Sequence, residues 1–326
     1  MRWCFSLLTL VSVFGRLTCK TDLNMEADFW FLLKRPKGTT YMYAGQDGVL
    51  APSSGDLNGT GTLNYTVRQL WDIGNDYILF NDEPVGVVAN WSTGHTKGIW
   101  IWNMDSGLGV ILTHSVPLYP AGPSRVPSYT GLGHNAYTYA QHMACFSTTV
   151  ADMNRLAVLG QLTVVGVYDK RISAASPSGL LALGAGVVNR AGFCNTTNFM
   201  TGNGTEVRYF AKSSQWNNEL YAMCIAPHLA SALVAETWIR GSATGPYCGS
   251  YPVLDVSTVN FSVGFAWKET QDHSKWAVGL DGDWVCPSDI NRMTTQYNRG
   301  GSAFCFKNPT LKRMLYDAIV STDTCA

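Results

Sequence analysis

A mixed α/β fold in two related halves is what this sequence predicts, on three observations. Short period-2 runs rich in β-branched and aromatic residues are interspersed with a few helically periodic segments, which argues against a pure sandwich or bundle. A His-hydroxyl-Lys triplet occurs twice, once on each side of a weakly patterned, Gly-containing middle. The 326 residues are 46% apolar and 12% aromatic, enough for one large domain or two halves and too apolar for disorder. Ordinary Gly and Pro contents, 32 and 13, exclude collagen-like and low-complexity classes.

Residues 1–15 read as a signal peptide: Arg2 is the basic start, 4–14 is apolar, and Val13 and Gly15 precede a cut after Gly15. The run is too short for a membrane anchor. The first half, 16–170, is expected to hold strands at 39–44, 76–80, 98–102, 110–114 and 162–168. Its helix, 148–159, is capped by Ser147 and places Val150, Met153, Leu156 and Ala157 on one face. Residues 171–204 read as an inter-half linker and surface loops. The second half, 205–326, is expected to hold strands at 233–240, 259–267 and 274–279. Asn308 as N-cap and Pro309 as first residue then open a helix with a stripe of Leu311, Met314, Leu315 and Ala318. Both stripes are core.

Lys+Arg and Asp+Glu both number 23, so no global basic excess advertises nucleic acid. Without residues 1–15 the net charge is −1, and protonating all six His makes it +5. Affinity for anions is therefore expected to grow as pH falls through about 6.5. Eight cysteines remain after Cys4 is removed, an even set that favours disulfides in an exported chain while spacing alone chooses none of the 105 connectivities. Six sequons, at Asn58, Asn64, Asn90, Asn195, Asn203 and Asn260, predict surface loops on a glycoprotein.

The triplets are His95-Thr96-Lys97 and His273-Ser274-Lys275, 178 residues apart. On a strand, residues i and i+2 share a face, so each triplet sets an imidazole beside an ammonium. One copy is an ordinary solvated strand end; two, one per half, predict a site at a pseudo-twofold interface. That set suits phosphodiester cleavage. One neutral imidazole attacks phosphorus, the other gives a proton to the leaving oxygen, and two lysines neutralise the phosphoryl oxygens. No cofactor is called for, and no carboxylate cluster, His-Glu-x-x-His, Gly-x-Ser-x-Gly or P-loop sequence is present.

The strands at 98–102 and 110–114 read as a hairpin. With Ile99 opposite His114, the side chains of His95, Lys97 and His114 share a face, and a one-residue slip reverses that. Asn291 lies 18 residues after His273, much as His114 lies 19 after His95, so the two are expected to be equivalent groups that bind phosphate or orient the imidazoles. Structural hydrogen bonding is the competing reading of both. His134 is read as structural, and His142 and His228 carry no matching motif.

These segments together resemble the deoxyribonuclease II family, within the wider phospholipase D-like fold. The match runs through Gly94-His95-Thr96-Lys97-Gly98, Leu112-Thr113-His114-Ser115-Val116-Pro117, Asp272-His273-Ser274-Lys275-Trp276, Asp289-Ile290-Asn291-Arg292 and Arg299-Gly300-Gly301, in family order along the whole chain. The resemblance implies two pseudo-symmetric halves, each a β-sheet flanked by helices and stapled by disulfides. It implies metal-independent acid cleavage of double-stranded DNA to 3′-phosphate products, in a secreted or lysosomal protein; one chain already contains both halves of the site, so a monomer or a homodimer is expected. It also implies the bridges Cys19–Cys145, Cys248–Cys325 and Cys286–Cys305, which leaves Cys194 and Cys224 for a fourth. By analogy with the wider fold His95 is the nucleophile, forming a phosphohistidine, and His273 the general acid; the likeness of the halves leaves the reverse open. That fold's acid, five residues beyond each Lys, is replaced by Trp102 and Leu280. Arg292, Arg299, Trp276 and Trp284 are candidates for lining a DNA groove.

Two readings of other classes compete. A secreted, catalytically weak, nuclease-like binding or immunomodulatory glycoprotein would be marked by loss of a triplet residue, and all four are present. An enzyme acting on lipid phosphodiesters would show an apolar rim beside the site.

Overall fold

The computed structural model describes residues 16–325, so the expected signal peptide at 1–15 lies outside the described residues. Two large sheets dominate. The first runs Val167–Arg171, Asn75–Phe80, Gly98–Asn103, Leu108–His114, Gln141–Thr149, Phe29–Lys34, Tyr41–Ala44 and Ala51–Pro52. The second runs Cys194–Met200, Glu206–Lys212, Gly301–Lys307, Trp284–Pro287, Trp276–Gly279, Leu233–Glu236, Val253–Ser262 and Phe265–Lys268, with Ile319–Thr322 beside Val253–Ser262. From Asn75–Phe80 to Tyr41–Ala44, and from Leu233–Glu236 back to Cys194–Met200, each sheet has six strands with every neighbour antiparallel. The halves therefore repeat a four-strand antiparallel order, Asn75–Phe80 to Gln141–Thr149 and Leu233–Glu236 to Gly301–Lys307, while the two strands beyond it follow in opposite chain order. The triplets immediately precede equivalent strands, Gly98–Asn103 and Trp276–Gly279.

The core engages the first sheet on both faces. Phe29, Phe31 and Leu33 enter a central cluster shared by both sheets, whereas Trp30 and Leu32 enter a second cluster under the helix Thr62–Val67. Buried on both faces, Phe29–Lys34 reads as a continuous apolar run without alternation, as does part of Gln141–Thr149. In the central layer Phe146 meets Phe304 and Phe306 at ring-centroid distances of 5.6 Å each, and Phe29 meets Phe306 at 5.0 Å. The helices Val150–Gly160 and Pro309–Asp317 close this layer with the stripes expected of them. Thr149, not Ser147, caps the first, its side chain accepting the Asp152 N–H at 3.2 Å, while Asn308 accepts the Leu311 N–H at 2.9 Å.

Other expectations are corrected. Residues 171–204 are more than linker and loop, since they contain the helix Ser178–Gly184 and the strand Cys194–Met200. The expected strand at 162–168 begins only at Val167, after a 3₁₀ turn at Gln161–Thr163. The expected strand at 259–267 is a hairpin that turns at Val263 and Gly264. Of the sequons, Asn64 lies in a helix and Asn195 and Asn260 lie on strands, while Asn58, Asn90 and Asn203 lie in exposed loops. Four disulfides are formed, Cys19–Cys145, Cys194–Cys224, Cys248–Cys325 and Cys286–Cys305. Among the described residues no helix is long and apolar enough to cross a membrane.

Candidate active site

Each triplet docks on the opposite half. The His95 N–H donates to the Gly300 carbonyl at 2.9 Å, and the His273 N–H donates to the Ala140 carbonyl at 2.9 Å. Gly300 and Ala140 each directly precede the fourth strand of their own six-strand set, so the contacts are reciprocal. Within each half, Lys97 O accepts the His114 N–H at 3.2 Å and Lys275 O accepts the Ser288 N–H at 2.8 Å. The backbone counterpart of His114 is thus Ser288, and Asn291 lies three residues further on.

The close approach at the first triplet needs glycine. A Cβ on Gly94 would stand 1.9 Å from the Thr163 carbonyl oxygen, and one on Gly300 would stand 2.1 Å from the same atom. The Gly-His-Thr-Lys and Arg-Gly-Gly segments cross there, which fixes where His95 emerges.

His95 is one-seventh exposed. Its Nδ1 contacts the Asp289 carbonyl oxygen, which only accepts, so Nδ1 carries the proton and the lone pair sits on Nε2. That Nε2 is 3.9 Å from Asp82 Oδ2. Burial and then Lys97 hold the His95 imidazole well below its ordinary pKa, with Asp82 partly offsetting them, so the ring is neutral. Asp82 follows the strand Asn75–Phe80. It is buried, ion-pairs with Lys97, and accepts from Arg299 Nη2 at 3.0 Å. Burial alone would raise its carboxyl, but Lys97 and Arg299 hold it below the usual carboxylate range. An acid thus stands beside His95 and Lys97 although position 102 carries Trp.

At the second triplet, burial lowers His273 most, reinforced by Lys275 and Lys97. The ring stacks on Tyr139 and Trp238, and its Nε2 has no protein partner. Lys275 donates to the His273 carbonyl and is pushed down to about 7 by burial and by Lys97. Asp289, whose carboxylate accepts from the Ser302 N–H at 2.7 Å and from the Ser302 hydroxyl, is pushed up to about 7 by burial. Between pH 8 and 5 Lys275 gains charge and Asp289 loses it, so the site becomes more positive.

Not every expected residue reaches this centre. His114 lies opposite Lys97, because Ile99 pairs with Leu112 in a register two residues from the expected one and of the same parity. It is fully buried against Tyr119, its Nδ1 accepts the Val116 N–H at 3.2 Å, and burial lowers it to about 3. Asn291 is buried with Oδ1 unpartnered, its N–H donating to Gln296 Oε1 at 2.7 Å. Arg292 cannot line a groove, because it is fully buried, 2.6 Å from Asp255 and 3.7 Å from Glu219. Trp276 is core, and Trp284 is buried beneath Arg208 and Lys307. Of those four only Arg299 joins the site. Sequence reasoning missed Asp82, Trp238 and His142, whose Nδ1 accepts the Lys275 N–H at 3.0 Å. The Asn81-Asp82 pair just past the strand Asn75–Phe80 was the available signal for Asp82.

The two sheets thus each bring an imidazole and an ammonium to their junction, His95 with Lys97 and His273 with Lys275. The family model for Deoxyribonuclease II matches residues 18–325. Deoxyribonuclease-2 of Caenorhabditis elegans is 30% identical, over 99% of this chain and 97% of that protein. A putative deoxyribonuclease-2 of Burkholderia thailandensis is 31% identical over 91% and 90%, and deoxyribonuclease-2-alpha of Rattus norvegicus 27% over 95% and 95%. The chain belongs to the deoxyribonuclease II family.

Proposed function

We propose that this chain is an acid, metal-independent endodeoxyribonuclease that cleaves double-stranded DNA to 3′-phosphate products through a phosphohistidine on His95. The observation that carries the reading is the His95 tautomer: Nδ1 is committed to the Asp289 carbonyl, and the Nε2 lone pair faces the Asp82, Lys97 and Arg299 cluster. His95 Nε2 attacks phosphorus, the bond to the 5′ oxygen breaks, and His273 gives that oxygen its proton. Neutral His273 then takes a proton from water as the water attacks phosphorus, the P–N bond breaks, and the 3′-phosphate leaves. Lys97 and Lys275 neutralise the non-bridging oxygens in both steps. The His114 backbone N–H helps hold the first triplet through the hydrogen bond it donates to the Lys97 carbonyl.

Acid favours the cycle because the bound phosphate needs a charged Lys275 and the leaving oxygen needs a protonated His273. The signal-like start, sequons and disulfides support a secreted or lysosomal glycoprotein. The test is cleavage of supercoiled plasmid near pH 5 in excess EDTA by the wild type and by His95→Ala and His273→Ala. Cleavage by the wild type alone is expected. Cleavage that survives both substitutions would put the site elsewhere, and none from folded wild type would favour a binding protein.

A further inference from the structure

The two halves give their histidines opposite surroundings. Phe80 pairs with Gly98, three residues after His95, and Glu236 pairs with Trp276, three residues after His273. Asp82 and Trp238, each two residues past its strand partner, are therefore register equivalents. Where His95 has a carboxylate, His273 has the indole of Trp238, at a ring-centroid distance of 3.9 Å and an interplanar angle of 27°. Tyr139 stacks on the same imidazole at 4.0 Å and 9°, and the Tyr139 and Trp238 rings stand 5.6 Å apart, so His273 occupies an aromatic corner. Tyr139 also adjoins Ala140, whose carbonyl holds the His273 N–H. One segment of the first half thus fixes both ring and backbone of the second triplet.

The charges facing His273 are cationic: Lys275 on its own segment, Lys97 and Lys34 from the first half, and Arg240 beyond Trp238. The neighbouring acids Asp272 and Glu236 are buried and shifted by burial toward their neutral forms, and Asp272 is occupied by the Trp267 indole N–H and the Ser274 N–H at 2.6 Å each. What remains to favour an imidazolium is the negative face of the two rings. Stacking also holds the ring plane.

We infer that Trp238 and Tyr139 are positioning residues that fix the plane of His273 and stabilise its protonated form, which makes His273 the proton donor and His95 the nucleophile. This rests on the two-histidine reading above. The asymmetry that separates the roles is the exchange of Asp82 for Trp238 between equivalent positions.

Trp238→Leu keeps an apolar neighbour and removes the π face, whereas Trp238→Phe keeps both. The measurement is the pH dependence of kcat and KM on plasmid in EDTA, with a thermal melt of each variant. Trp238→Leu is expected to move the loss of kcat at rising pH about one unit lower, about tenfold less activity above that limb, with KM little changed. Trp238→Phe is expected to restore most of it. Tyr139→Leu is expected to shift the limb the same way, and it carries the test if Trp238→Leu does not fold. A loss uniform across pH, a rise in KM alone, or a Phe variant no better than Leu would overturn the inference, the second result making Trp238 a DNA contact. Full activity in His95→Ala would overturn the two-histidine reading, and this assignment with it.

Discussion

At the scale of single residues, the triplets were legible because an i, i+2 pair is written in the sequence itself, whereas their partners are not. Asp82 meets Lys97 only through antiparallel pairing of the strands Asn75–Phe80 and Gly98–Asn103, and Arg299 reaches Asp82 from 217 positions away. Burying Asp82 is tolerable because it is paired on both oxygens, so removing its charge leaves Lys97 buried and uncompensated. Asp82→Asn is expected to cost about 3 kcal/mol in urea unfolding near pH 6. The carboxyl is depressed in the folded state, so its contribution is fully present above the unfolded value of about 3.9 and is lost as pH falls through the folded one. The gap between wild type and Asp82→Asn should therefore persist at pH 5 and narrow toward pH 2. A gap that is constant over that range would mean the carboxylate is not the group held by the cations.

At the scale of elements, the strands Asn75–Phe80, Gly98–Asn103 and Leu108–His114 were predicted to within two residues, and both capped helices were found. Phe29–Lys34, Gln141–Thr149 and Gly301–Lys307 were among the strands not predicted; burial on both faces does not set them apart, because Asn75–Phe80 and Gly98–Asn103 are just as buried. The three unpredicted strands are also the strands that join the halves, so the sequence hid the interface more than the site. Phe146, among Phe199, Phe304 and Phe306, should be the costliest aromatic to truncate: Phe146→Ala is expected to lose about 3–5 kcal/mol, measured by denaturant midpoint. Gly94→Ala is expected to lower both melting temperature and cleavage, because its Cβ must displace the Thr163 backbone and with it the segment that carries His95. A Gly94→Ala protein with wild-type activity would show that the crossing does not position the imidazole.

The whole molecule is a reciprocal assembly. Each histidine hangs from the other half's backbone, yet the four disulfides all lie within 16–170 or within 171–326. The halves are held together by the chain near 171–193 and by the shared aromatic layer. Protease cleavage after the exposed Arg190 should leave one active particle in native buffer and two fragments in denaturant without reductant. A single band under those denaturing conditions would require a bridge between the halves.

The central claim is the division of labour between two equivalent-looking histidines, and a phosphodiester with a p-nitrophenolate leaving group tests it most directly, because that group departs without a proton donor. His273→Ala should release one equivalent of nitrophenolate in a burst and stall as a phosphoryl adduct that peptide mapping places on His95, while His95→Ala should release none. A burst from His95→Ala with the adduct on His273 would contradict the account and reverse the two roles.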